Sequence, residues 1–219
     1  MGRLPSVLER IPREVPAATR LLRRLRSRRR DPLLRILVGT VLSHQTTSRQ
    51  AREATARLWG RHRTLRSLAR ARPREIFPMI AGIGLGRLKA RRLVALAQAI
   101  EDRWGSVRAL GRYLRTAPLP DAWRALLELP GIGPKSAAVV LLFKFGRPVF
   151  PVDTNILRVA RDLGWVDRRA GPEQVRLRVE RALPPDPRVL LKAHAYLLAL
   201  GRATARGRRR DLLGRLGGG

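Results

Sequence analysis

Apolar residues recur at helical spacing along nearly the whole chain, and this periodicity constrains the fold more than any other feature of the sequence. Glycine and proline mark most of the breaks between the periodic segments. The run 139–143 could also be read as a buried strand, but its flanks and length favour a buried helix. Helices are predicted over 17–28, 32–43, 49–59, 65–71, 88–104, 107–114, 122–129, 135–145, 154–163, 172–183 and 188–204. We therefore predict an all-α fold.

The segment Pro130-Gly131-Ile132-Gly133-Pro134 predicts a tight hairpin directly before a helix. The glycines have no Cβ, so the backbone can turn sharply there and approach another surface closely. Proline fits the first turn of a helix, and the hairpin amides can bind an anion such as a phosphate. Lys135 follows at the positive end of that helix, where the dipole disfavours a charged ammonium. The segment offers a phosphate site and a candidate amine nucleophile, against the alternatives of a plain turn and a lysine–phosphate contact.

The charge of the chain points to a polyanionic partner. The sequence holds 47 lysines and arginines against 16 aspartates and glutamates, a net charge of +31. Nucleic acid is the simplest partner for such a chain, with binding that weakens as salt rises. A coding bias toward arginine is the alternative, but it does not explain why acidic residues are so scarce.

Lysine is rare in this basic chain, which makes each lysine informative. Only Lys89, Lys135, Lys144 and Lys192 are present, and all other basic residues apart from histidine are arginines. Arginine keeps its proton at any useful pH, whereas the environment can lower the pKa of a lysine. A lysine placed directly behind a glycine hairpin is therefore a candidate for chemistry.

The sequence contains no cysteine, so disulfides, a thiolate zinc site and a cysteine-bound iron–sulfur cluster are excluded, and no cofactor is expected. His44, His62 and His194 are too scattered to indicate a metal site, and each is expected to be structural or exposed. No run of about 20 apolar residues occurs, so no membrane segment is expected. These features predict a cytoplasmic, chromosome-associated protein.

Four segments of the chain, in order, resemble the endonuclease III superfamily of helix-hairpin-helix DNA glycosylases over residues 30–205. The sequence LPGIGPKSA, with VDTN after it, is similar to the family's hairpin and Gly/Pro…Asp signature, and the Lys135–Asp153 spacing is similar as well. Upstream, LSHQTT at 42–47 resembles the family's LSxQ(T/A)T, and Ile83-Gly84-Leu85 with Lys89 resembles its IGLxxxKA loop. Leu200-Gly201-Arg202 resembles the start of a region that carries an iron–sulfur cluster in many members, but cysteine is absent here.

The resemblance implies two helical lobes with an active-site cleft between them. A six-helix lobe is expected over 27–147 and ends in the helix-hairpin-helix, whose hairpin spans 129–135. The second lobe is expected from 1–26 and 148–219, and Lys135 and Asp153 are expected to face each other across the cleft. The stretch 206–219 is expected to be a solvated basic tail.

The resemblance also implies a role for each matching residue. Lys135 would attack C1′ of the sugar, and Asp153 would stabilise positive charge on the sugar and assist proton transfer, a role compatible with capping the next helix. Gln45 would meet the orphan base while Leu85 wedges into the duplex. The alternatives are a polar residue at a helix end for Gln45 and a core leucine for Leu85. The remaining DNA contacts are expected from Gly131, Ile132, Gly133 and from Asn155, which stands where the family more often has histidine.

We therefore expect a base excision repair DNA glycosylase with AP lyase activity, acting as a monomer on double-stranded DNA with damaged bases or abasic sites. Adenine glycosylases of the superfamily lack the lysine and only remove the base. Two alternatives remain: a monofunctional glycosylase in which Asp153 activates water, and a non-catalytic protein that binds DNA damage. The motifs do not cover the base pocket and leave the lesion open.

Overall fold

The computed structural model describes residues 4–205 and 209–217, which form fourteen α-helices and no strand. This confirms the predicted all-α class. Three further helical turns are the 3₁₀ helices Arg28–Arg30 and Phe77–Ile80 and the π-helix Val140–Phe145. The α-helices are α1 (Leu4–Glu14), α2 (Ala17–Ser27), α3 (Leu33–Leu42), α4 (Ser48–Arg61), α5 (Leu65–Ala69), α6 (Pro73–Ile76), α7 (Gly86–Trp104), α8 (Val107–Thr116), α9 (Leu119–Leu127), α10 (Pro134–Val139), α11 (Thr154–Asp162), α12 (Pro172–Ala182), α13 (Pro187–Ala203) and α14 (Arg209–Gly217).

The chain divides into two compact units. One consists of residues 31–140, and the other combines residues 1–30 with 141–219, as far as these residues are described. The first unit contains α3 to α10, and six of these eight helices have six or more residues. The second unit contains α1, α2 and α11 to α14.

Helix α7 is central to the unit of residues 31–140. It packs against α3, α5, α6 and α8, and its buried residues Leu93, Leu96, Ala97 and Ile100 recur at helical spacing. Each buried leucine or isoleucine contributes about 1.5–3 kcal/mol relative to exposure. The helix begins at Gly86, and its first turn lies beside the turn between α3 and α4, as the side-chain contacts of Lys89 show.

Helix α13 is the core of the other unit. It packs against α2, α11 and α1, and nearly every residue from Leu190 to Gly201 is buried. Helix α2 contributes Ala18, Leu21, Leu22 and Leu25 to this core, while its arginines lie on the exposed face. The amphipathic pattern of α2 therefore reflects its packing on α13.

Two terminal helices differ from the sequence-based expectation. Helix α1 was not predicted, because Pro5 and Pro12 lie within it, yet it buries Val7 and Ile11. The solvated tail predicted for 206–219 is wrong for residues 209–217, which form α14 and bury two leucines, Leu212 and Leu216. Burial of this apolar pair accounts for the helix, while Arg215 stays at the surface. Residues 206–208 and 218–219 lie outside the described residues.

The run 139–143 belongs to helix and not to a strand, because α10 continues into the π-helix Val140–Phe145. Glycine and proline predict breaks around residues 82–86, 118–120, 131–134, 147–151 and 184–187. Each lies outside α-helices, apart from the first one or two residues of the helix that follows. Among the described residues, no helix combines the length and hydrophobicity needed to cross a membrane.

Candidate active site

The hairpin between α9 and α10 determines where Lys135 lies. Gly131 turns the chain with a φ of 81°, and Gly133 is the N-cap residue of α10, so Lys135 lies in the first helical turn. Ile132 is 5% exposed, and its amide donates to the oxygen of Leu129 at 3.0 Å. Ile132 therefore anchors the hairpin, and Lys135 is the second residue of α10, at the helix start that its sequence context predicts.

The two hairpin glycines have different surroundings. A Cβ on Gly131 would lie 3.3 Å from the Val41 side chain and 3.4 Å from that of Arg92, and the positive φ would strain any other residue. A Cβ on Gly133 would meet nothing within 4 Å. Within the described chain, the amides of Gly131 and Gly133 donate to no acceptor. The hairpin therefore presents two backbone donors that an anion can bind.

His44 lies beside the first turn of α10. Its Nε2 is 3.1 Å from the hydroxyl oxygen of Ser136, the buried residue that follows Lys135. Burial lowers the pKa of His44 below its ordinary value, and the charges of Lys135, Lys89 and Arg92 lower it further. His44 is therefore a neutral imidazole at neutral pH, and it lies close enough to Lys135 for that charge to lower its pKa.

Gln45 and Leu85 share an unusual backbone conformation. They are the two non-glycine residues with positive φ in the described part of the chain, at 47° and 59°. This conformation costs a residue with a Cβ roughly 1–2 kcal/mol, and such strain concentrates at functional sites. Both side chains are exposed, Leu85 to 49%, so Leu85 is not a core leucine.

The loops that carry these two residues are packed together. A Cβ on Gly84 would lie 2.9 Å from the main-chain oxygen of Gln45, so only glycine permits this approach. The side chain of Gln50 donates to the oxygen of Gly82 at 3.4 Å, and Gln50 also forms the capping box of α4 with Thr47. The turn 43–47 and the loop 82–85 therefore form one exposed surface.

A buried lysine ties this surface to α7. The Nζ of Lys89 donates to the oxygens of Leu42 at 3.1 Å and His44 at 2.5 Å, and to the hydroxyl of Thr46 at 3.0 Å. Lys89 is 1% exposed, and burial lowers the pKa of its ammonium. The three acceptors satisfy a group that would otherwise be costly to bury. Lys89 thus holds the turn that carries Gln45.

Asp153 and Asn155 lie at the start of α11, in the unit of residues 1–30 and 141–219. The Oδ1 of Asp153 accepts from the amides of Asn155 at 3.0 Å and Ile156 at 2.9 Å, which confirms its predicted N-cap geometry. The side-chain amide of Asn155 donates to Asp153 Oδ2 at 3.4 Å and accepts from Arg158 at 3.3 Å. Asn155 therefore orients the carboxylate from one side, while the helix dipole favours its negative charge.

The residues at the end of α13 do not fit an iron–sulfur cluster. Gly201 contacts Asn155, and the hydroxyl of Thr204 donates to the oxygen of Gly201 at 3.1 Å. Alanines occupy positions 203 and 205, and the sequence has no cysteine to supply thiolates. Within residues 4–205 and 209–217, no group of three or more histidine, cysteine, aspartate or glutamate side chains could hold a metal ion.

The other two histidines have structural contacts. The Nδ1 of His62 donates to the oxygen of Ser67 at 3.1 Å, and its ring also lies 2.9 Å from the Ser67 hydroxyl. His194 is buried, donates through Nδ1 to the oxygen of Pro151 at 2.9 Å, and packs edge-on against two phenylalanine rings. Both agree with the structural role expected from the sequence.

The structure gathers most of the predicted site residues into the unit of residues 31–140: Lys135, Gly131, Ile132, Gly133, Gln45 and Leu85. Asp153 and Asn155 belong to the other unit. Sequence reasoning missed the contact between His44 and Ser136, and it quoted Lys89 only as part of a motif. The rarity of lysine was the one signal that could have identified Lys89.

Comparisons with known proteins show the family of this chain. Residues 38–185 match the family model described as "HhH-GPD superfamily base excision DNA repair protein". Endonuclease III of Thermotoga maritima is 35% identical over 156 residues, which cover 71% of this chain and 67% of that protein. Thymine-DNA glycosylase of Aeropyrum pernix is 31% identical, over 76% of this chain and 72% of its own.

A solved structure with a related sequence shows the same fold. The trapped endonuclease III–DNA covalent intermediate superposes with a TM-score of 0.67 at 28% identity, covering 77% of this chain and 73% of its own. A thermostable thymine-DNA glycosylase, at 20% identity and a TM-score of 0.67, shares the fold. The chain belongs to the HhH-GPD superfamily of base excision DNA repair proteins.

Proposed function

We propose that Lys135 is the nucleophile of a DNA glycosylase and AP lyase, with Asp153 as its charge-stabilising partner. The enzyme class itself follows from the family and from the endonuclease III relatives. The observation that carries the assignment of Lys135 is its position in the first turn of α10, directly behind a hairpin with two unused amides. These amides would bind a DNA phosphate and bring the sugar toward the amine.

The proposed reaction forms and then resolves an imine. The amine of Lys135 attacks C1′, the C1′–N bond breaks, and the base leaves with one proton of the amine. The C1′–O4′ bond then breaks, O4′ takes up the remaining proton of the nitrogen, and the C1′=N imine forms. The sugar carries positive charge in the transition state, and the Asp153 carboxylate would stabilise it. The imine makes the C2′ proton acidic, so its loss breaks the bond to the 3′ phosphate by β-elimination. Asn155 would hold the carboxylate in place and can contact a phosphate.

Gln45 and Leu85 are proposed to probe the duplex. Both are exposed and held in a strained conformation on one surface, which suits residues that must enter DNA. Leu85 would wedge between base steps, while Gln45 would fill the space of the extruded nucleotide and contact its former partner. The glycines of the hairpin, anchored by Ile132, would hold the backbone nearby.

DNA is the partner, and the trapped endonuclease III complex is itself a DNA complex. We propose that the substrate is double-stranded DNA with a damaged base or an abasic site, bound by a monomer in the cytoplasm on the chromosome. We further propose that the two units correspond to the two lobes expected from the sequence as 27–147 and 1–26 with 148–219.

Borohydride reduction of a duplex with one abasic site tests this assignment. An imine becomes a stable protein–DNA adduct on reduction, so the wild type should form an adduct and Lys135→Gln should form none. Lys192→Gln is the matched control, because Lys192 is exposed on α13. If Lys135→Gln folds like the wild type and binds the abasic-site duplex with the same affinity, the loss of the adduct is due to the missing amine. If it folds normally but loses affinity for this duplex, Lys135 is a phosphate contact.

The remaining outcomes separate the alternatives. Base release without strand cleavage or adduct, abolished by Asp153→Asn, would indicate a monofunctional glycosylase. Tight binding to distorted duplexes without base release from any lesion tested would indicate a non-catalytic damage-binding protein.

A further inference from the structure

The His44–Ser136 hydrogen bond joins two segments that each carry a proposed functional residue. His44 directly precedes Gln45 in the turn between α3 and α4, and Ser136 directly follows Lys135 in the first turn of α10. The Nε2 and Oγ atoms are 3.1 Å apart. One side-chain contact therefore links the neighbour of Gln45, the residue proposed to probe the duplex, to the neighbour of Lys135, the proposed nucleophile.

Both ends of this contact are rigidly held. The main-chain oxygen of His44 accepts from Lys89 at 2.5 Å, and the oxygen of Gln45 lies against Gly84. Ser136 is 1% exposed, so its hydroxyl has little freedom to find another partner. A displacement of Gln45 cannot be absorbed by loose side chains, and it would reach α10 through the imidazole.

The charges around His44 keep the ring in the form that suits this contact. Lys135 faces it from α10, and Lys89 and Arg92 face it from α7. Burial, and then these three cations, lower the pKa of His44, so the ring is neutral at neutral pH. A neutral imidazole has one donor and one acceptor nitrogen, so its Nε2 can pair with the hydroxyl in either direction.

We propose that His44 is a positioning residue that couples the engagement of the orphan base by Gln45 to the placement of Lys135. This inference rests on the proposed function of both residues. When Gln45 meets an orphan base, the rigid turn 43–47 shifts as a unit, and the hydrogen bond to Ser136 passes this shift to the first turn of α10, which moves the amine toward C1′. Without an orphan base, the turn keeps the position it has in the free protein, and imine formation is slower.

The test compares two duplexes under single-turnover conditions with excess protein and borohydride. One duplex carries an abasic site opposite guanine, and the other carries an abasic site opposite a second abasic site, so that it has no orphan base. The readout is the ratio of the two adduct-formation rates. The wild type should form adduct faster on the first duplex.

Breaking the contact should lower this ratio toward one. His44→Leu and Ser136→Ala should each reduce it by about fivefold to tenfold, the size of effect expected from one hydrogen bond. The rate on the duplex without an orphan base should change by less than about twofold. His44→Gln places an amide near the position of Nε2 and should retain most of the wild-type ratio. The double variant His44→Leu with Ser136→Ala should be no worse than either single variant.

His62→Leu is the matched control. His62 also bonds a serine, Ser67, within the same unit, so its loss reports the general cost of removing such a pair. The ratio should be unchanged in this variant.

Three results would overturn the coupling. The first is a wild-type adduct-formation rate that is the same on both duplexes. The second is a wild-type ratio of the two rates in Ser136→Ala. The third is an equal fall of the rates on both duplexes in His44→Leu and in Ser136→Ala. If the wild type forms no adduct at all, the proposed function fails together with the coupling. If an adduct forms and disappears in Lys135→Gln, the proposed function stands whatever the ratio shows.

Discussion

The ammonium of Lys89 donates to the main-chain oxygen of His44 at 2.5 Å from a side chain that is only 1% exposed. This contact connects the beginning of α7 to the turn that precedes α4. The same ammonium also donates to the main-chain oxygen of Leu42 and to the hydroxyl of Thr46, so it supplies a hydrogen-bond donor to the last residue of α3 as well. One buried charge thus fixes the position of the turn that carries Gln45.

Lys89→Met should be strongly destabilising, because it leaves several buried oxygens without a donor. Each unsatisfied acceptor costs about 1–3 kcal/mol, so we expect a loss of roughly 3 kcal/mol in the free energy of unfolding. Urea titration followed by circular dichroism measures this. Lys192→Met is the control, because this exposed lysine contributes only a contact with the ring of Tyr196. Similar losses in both variants would contradict the assigned role of Lys89.

Gly84→Ala should separate the turn 43–47 from the loop 82–85. The added Cβ would lie 2.9 Å from the oxygen of Gln45, which is main chain and cannot rotate away. We expect weaker binding to abasic-site duplexes, measured by fluorescence anisotropy, together with lower stability. Gly60→Ala lies within α4 with nothing within 4 Å of the new Cβ, and should stabilise the protein by about 1 kcal/mol. A neutral effect of Gly84→Ala on DNA binding would argue against a role of this surface in binding DNA.

Substitutions of Leu85 should affect DNA binding and stability in different ways. Both Leu85→Ala and Leu85→Gly remove the proposed wedge, so both should bind abasic-site duplexes more weakly. The φ of 59° suits glycine and strains alanine, so Leu85→Gly should be the more stable of the two by roughly 1 kcal/mol. Thermal unfolding and anisotropy measure the two effects separately. Equal stability of the two variants would show that the backbone relaxes when the side chain is removed.

Asp153 should have separable structural and chemical roles. Its carboxylate caps α11 by accepting two amides, and asparagine is as good an N-cap as aspartate. Asp153→Asn should therefore keep nearly wild-type stability while adduct formation falls by at least about a hundredfold, because the charge is lost. Asp153→Ala should lose about 1 kcal/mol of stability in addition. Retained adduct formation in a well-folded Asp153→Asn would remove Asp153 from the chemistry.

Acid should destabilise the wild type more than His44→Gln. The pKa of His44 is lowered in the folded state, so the unfolded chain binds this proton at higher pH. The free energy of unfolding contributed by His44 therefore falls as the pH drops below the ordinary pKa of 6.5, until the folded pKa is reached. Urea titrations between about pH 8 and pH 5 measure the difference between the two proteins. Parallel curves would show that His44 titrates as it does in the unfolded chain.

Local patterns were sufficient for much of the fold. The helical periodicity predicted α2 to α5 and α7 to α13 within a few residues, because burial of one face imposes the same spacing wherever the partner lies. The helical periodicity led to wrong predictions where nearby prolines or arginines indicated a different structure. Two prolines obscured α1, and arginines around Leu212 and Leu216 suggested a solvated tail where those leucines are buried in α14.

The sequence by itself determined the hairpin, the lysine behind it, the aspartate at a helix start and the absence of thiolates, because each depends on residue identity and short spacing. Only the tertiary structure decided that Gln45 and Leu85 take left-handed backbones side by side, that Lys89 is buried beneath them, and that His44 meets Ser136. His44 and Ser136 are 92 residues apart along the chain. Such contacts depend on how helices pack, and no short-range pattern in the chain records them.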